Sequence, residues 1–67
     1  MILEINFKSR KQSFLKVNYV EKFQEEIAYI LTDNSNRAQS HKLENIENAH
    51  LFFNGTVRVL HQEKCDD

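Results

Sequence analysis

The chain has 67 residues, nine of them Lys or Arg and ten Asp or Glu, for a formal net charge of −1. That length leaves no room for a second core, and that charge argues against non-specific coating of nucleic acid. A chain this short buries only about 60% of its unfolded surface, so its core calls for a disulfide, a metal or a partner chain as supplement. The single cysteine, Cys65, excludes an internal disulfide, and no apolar stretch reaches the roughly 20 residues of a membrane span. With no secretory leader evident, the lone thiol points to a reducing, cytoplasmic setting.

From Met1 to Phe7 the side chains alternate, with Leu3, Ile5 and Phe7 on one side and Glu4 and Asn6 on the other. This period of two predicts a strand with one wet face. Ser13 to Tyr19 repeats it through Leu15, Val17 and Tyr19, and the polar Lys8–Gln12 link reads as a hairpin loop. Two strands alone are not stable, so their shared apolar face needs a cover.

Val20, Phe23, Ile27, Ile30 and Leu31 fall at helical spacing, with Glu21, Lys22, Gln24, Glu25 and Glu26 opposite them. The stripe predicts a helix across residues 20–31 as that cover. The competing pattern is Ile27, Tyr29 and Leu31 on one face of a strand over residues 26–32. Asp33-Asn34-Ser35-Asn36 is a turn cluster, and residues 33–42 read as the least ordered stretch. Leu43, Ile46, Ala49 and Phe53 permit a second short helix at 42–49, with Ser40 as its N-cap, or an irregular lead-in to a strand.

The chain's one glycine, Gly55, follows Asn54 between Leu51-Phe52-Phe53 and Val57-Arg58-Val59-Leu60. Asn-Gly between apolar runs predicts a β-hairpin with a type I′ turn, because both residues tolerate positive φ. The turn fixes a register: Phe53 opposite Thr56, Phe52 opposite Val57, Leu51 opposite Arg58 and His50 opposite Val59. Both hairpin faces then carry apolar side chains, more than one covering helix can hide. Residues 63–67 read as a solvated tail behind a domain of residues 1–62.

The expected fold is therefore α+β: two hairpins in a small antiparallel sheet with one helix packed on it. The alternative is an all-β, SH3-like small barrel of about five strands, which requires a strand at 26–32. The shortage of glycines for sharp corners counts against that alternative.

Chemistry is sparse. His41, His50, His61 and Cys65 lack the paired cysteine motif of a zinc site, although the regular register would place His50 and His61 on one face as diagonal neighbours. No metal or other cofactor is expected. Cys65 has no ordered cleft, no serine sits in a nucleophile elbow, and the carboxylates lie on polar faces, so no enzyme is expected. Asn54-Gly55-Thr56 matches a glycosylation acceptor, but the turn already explains the Asn-Gly pair.

Charge is unevenly spread, +3 over residues 1–22 and −4 over the rest, which would orient the molecule on a charged partner. The leading expectation is a small protein-binding regulator or inhibitor that occludes a partner surface, or self-associates, through Phe14, Leu51, Phe53, Arg58 and Leu60. The alternative is a nucleic-acid binder using Lys8, Arg10, Lys11, Phe14 and Lys16, where cations flank an exposed ring.

Overall fold

The computed structural model describes residues 1–32 and 37–63. The elements are β1 (Ile2–Phe7), β2 (Gln12–Lys22), β3 (Glu26–Leu31), β4 (Ala38–Lys42), a 3₁₀ turn (Leu43–Asn45), β5 (Ile46–Phe53) and β6 (Thr56–Gln62). They form one six-stranded sheet in the order β4-β3-β2-β1-β5-β6, with every neighbouring pair antiparallel. The predicted turn cluster at 33–36 and the tail residues 64–67, including Cys65, lie outside the described residues.

The α+β expectation is overturned. Residues 20–31 contain no helix; they are the end of β2, a reversal at 23–25, and β3. The helical stripe and the strand alternation competed for the same side chains, and the alternation won. Ile27 and Tyr29 are buried at 0% and 2% exposure, whereas Phe23, which a helix would have buried, is 46% exposed. Ile, Tyr and Thr at 27–32 also favour a pleated backbone over a helical one. The all-β alternative fits the chain better, since the strand it required is β3. The second predicted helix is likewise absent: 42–49 holds one 3₁₀ turn and the start of β5. Ser40 caps nothing, because it lies within β4, opposite Ala28.

A single layer buries a core here because the sheet curls on itself. The Phe7 ring of β1 meets the His41 ring of β4 edge-on, centroids 5.1 Å apart, although β2 and β3 stand between those strands in the sheet. Backbone bonds extend two ladders past the strand ends: Leu43 N–H donates to Glu25 C=O at 2.9 Å beyond β3–β4, and Lys8 N–H to Asn45 C=O at 3.0 Å beyond β1–β5. Few glycines are needed, because register slips at Asn18 (β2 against β3) and Glu47 (β5 against β1) bend the strands instead. The concave face encloses Leu3, Ile5, Val17, Ile27, Tyr29, Ile46 and Ala49. Each large member contributes about 1.5–3 kcal/mol by leaving water.

The β1–β2 and β5–β6 turns use the left-handed region. Arg10 has φ 72° in the β1–β2 turn, where its N–H donates to Phe7 C=O at 2.9 Å. Asn54 and Gly55 have φ 50° and 76°, as a type I′ turn requires.

Candidate functional site

The β5–β6 hairpin has the register its Asn-Gly turn predicts, from Phe53 opposite Thr56 back to His50 opposite Val59. The next step departs from it. Leu60 is bulged out of the ladder, so His61 opposes Ala49 instead of Asn48. The slip moves His61 off the face of His50, and the two imidazoles do not form a diagonal pair.

Register places exposed Phe14, Phe52, Val57 and Val59, with half-buried Ile2, on the convex face. Ile2 of β1 lies opposite Phe52 of β5, and Phe52 opposite Val57 of β6. In the next row but one, Phe14, Glu4, His50 and Val59 follow one another across β2, β1, β5 and β6. Val57 and Val59 are 57% and 54% exposed. Between them and Phe14, Glu4 Oε1 lies 2.9 Å from His50 Nδ1, and Gln12 Nε2 donates to Glu4 Oε2 at 3.1 Å. The polar centre of this face is thus internally bonded, with apolar groups around it.

The five residues expected to bind a partner fall on both faces. Leu51 and Leu60 are half-buried and pack against the core, while Arg58, opposite Leu51, and the exposed Phe53, opposite Thr56, share the concave side near the hairpin tip. Phe14 is exposed on the convex face. The partner-binding expectation does not include Ile2, Phe52, Val57 and Val59; the turn register places the last three on one face, and Ile2 joins them through the β1–β5 pairing. The missing signal was which face β1 continues: Leu3 and Ile5 line the core, so their alternates must face water.

The cationic set is also divided. Lys8 and Arg10 lie in the β1–β2 turn, with Lys8 Nζ 3.0 Å from Glu63 Oε1. Phe14 and Lys16 stand on the convex face, whereas Lys11 lines a cleft on the concave side.

That cleft, about 380 Å³, is bordered by Phe7, Ser9, Lys11, Ser13, Leu15, Tyr29, Gln39 and His41. Tyr29 OH donates to Gln39 Oε1 at 3.3 Å and lies 2.9 Å from His41 Nε2. With the phenol proton on Gln39, Nε2 carries the hydrogen of the neutral imidazole and donates it to the phenol oxygen. Partial burial, then the nearby Lys11 charge, holds His41 below its ordinary value; burial raises Tyr29.

Comparison with family models, curated proteins and solved structures finds no match for the chain. Among the described residues no three metal-ligating side chains converge, and no helix is long and apolar enough to cross a membrane.

Proposed function

We propose that this chain is a non-catalytic protein-binding module, a small regulator or inhibitor that occludes a partner surface with its β5–β6 hairpin. The supporting observation is strand β6, which among the described residues has a neighbour on one side only and carries the exposed Val57 and Val59. Phe53 and Thr56 flank a two-residue turn and so exchange hydrogen bonds, as do Leu51 and Arg58 two residues on. Val57 and Val59 therefore turn their backbone N–H and C=O groups away from β5. The same two residues offer free main-chain bonds and apolar side chains, the combination that strand addition by a partner uses. The deterrents to pairing along β6 are Arg58, which faces the concave side, and the bulge at Leu60; neither covers the outward groups of Val57 and Val59.

The partner this edge suits is a protein presenting an extended segment with apolar side chains alternating along it. The test is quantitative capture by the full chain and by Val57→Lys/Val59→Lys, with circular dichroism confirming that both fold. Capture of one partner, in fixed ratio, by the parent and at least about tenfold weaker by the variant supports the reading. Equal capture by both overturns it. The nucleic-acid reading, through Lys8, Arg10, Lys11, Phe14 and Lys16, is supported by Phe14 and Lys16 sharing the convex face. Oligonucleotide binding that falls steeply with salt would establish that reading instead.

A further inference from the structure

We propose that the concave cleft between the β1–β2 turn and strands β3 and β4 is a binding site for a small anion, a carboxylate or phosphate group borne on a flat apolar body. It is separate from the hairpin edge and does not depend on that edge's role.

Four features carry the assignment. First, its charge is one-sided: Lys11 is the cation, and among the described residues no Asp or Glu borders it, in a chain with more acids than bases. Second, its remaining polar groups are neutral: the Ser9 and Ser13 hydroxyls and the Gln39 amide N–H groups keep donors outside the Tyr29–Gln39–His41 bonds, and the His41 ring gains a further one on protonation. Such a set satisfies the lone pairs of an anion and leaves a bound cation without a counter-charge. Third, the walls are aromatic and apolar. The His41 ring stands between Phe7, edge-on at 5.1 Å, and Tyr29, tilted at 5.6 Å, with Leu15 alongside. These rings contact one another and form an apolar wall against which a flat body can lie, and the volume lies at the lower end of the roughly 300–1,000 Å³ common for small-molecule sites. Fourth, Tyr29, Gln39 and His41 are already bonded to one another on paired strands, so little ordering remains for a ligand to impose.

The groups facing His41 are Lys11 from the β1–β2 turn and Tyr29 from β3, with Lys22 farther along the same row, beyond Ile27. None is acidic. An anion seated between Lys11 and His41 supplies the missing counter-charge and favours the imidazolium. By linkage, an anion that grips the protonated ring about tenfold more tightly raises its midpoint by about one pH unit.

The test follows the ring protons of all three histidines by NMR across pH. The probes are acetate, benzoate, inorganic phosphate and phenyl phosphate, each against sodium chloride at equal ionic strength. The expected result is an upward shift of the His41 midpoint, larger for benzoate or phenyl phosphate than for the bare anions, while His50 and His61 stay where chloride leaves them. Which of the two aromatic probes acts at lower concentration distinguishes a carboxylate ligand from a phosphate ligand. Lys11→Ala, on the surface and outside the core, should weaken the response by about tenfold. An unmoved His41 midpoint, a shift equal for all three histidines, or full retention in Lys11→Ala would each overturn the assignment.

Discussion

Gly55 shows how much one residue can specify. Its φ of 76° lies where an L side chain is strained, yet a Cβ built there would meet nothing within 4 Å. The cost of Gly55→Ala is therefore backbone strain alone, about 1–2 kcal/mol. A D-alanine placed there by chemical synthesis should instead leave stability unchanged or raise it by up to about 1 kcal/mol, since it adopts positive φ and restricts the unfolded chain. Equal melting temperatures for the L and D variants would show that this turn is not type I′. His41 has a different residue-scale consequence. Its folded value lies below the ordinary 6.5, so the unfolded chain takes up the proton more readily. The neutral ring's contribution is fully present above pH 6.5 and is lost as pH falls through the lower folded value. Thermal melts between pH 7.5 and 5 should show a decline that His41→Gln reduces; an identical decline in that variant would assign it to other groups.

At the scale of elements, legibility followed how local each signal is. The β1–β2 and β5–β6 turns and strand β1 could be read directly, because a turn dipeptide and an alternation are properties of neighbouring residues. The 20–31 segment could not, since its apolar side chains satisfy two periods at once and only pairing with β2 and β4 decides between them. Strand β4, Ala38–Lys42, was invisible for a related reason. Its sequence Ala-Gln-Ser-His-Lys has no apolar alternation, and it is a strand because β3 supplies the ladder. The candidate surfaces divide in the same way. The shared convex face of Phe52, Val57 and Val59 followed from the turn, whereas its continuation through Ile2 and Glu4 depends on the β1–β5 register, which no local signal supplies. The cleft joins Lys11 to His41 across thirty positions of chain, and no spacing rule reports that meeting.

For the molecule as a whole, stability rests on a few side chains held inside one curled layer. Ile5 is fully buried, paired with Ser13 on one side and Ala49 on the other. Ile5→Ala should cost about 2–5 kcal/mol, much or all of what a chain this size has to spare. Val59→Ala, on the exposed edge, should shift urea midpoints by no more than about 0.5 kcal/mol in free energy. Comparable losses at the two positions would mean that β6 belongs to the core.

The seven fully enclosed side chains all come from strands β1, β2, β3 and β5. The last strand contributes none of them, yet it continues the sheet outward and presents its valines to solvent. A segment that adds only half-buried Leu60 to the packing, but exposes oily groups, can change at its outward positions at little cost to the body it is attached to. Its variation would then track whatever it touches, and the curled layer beneath would serve as a stable handle for an interchangeable tip.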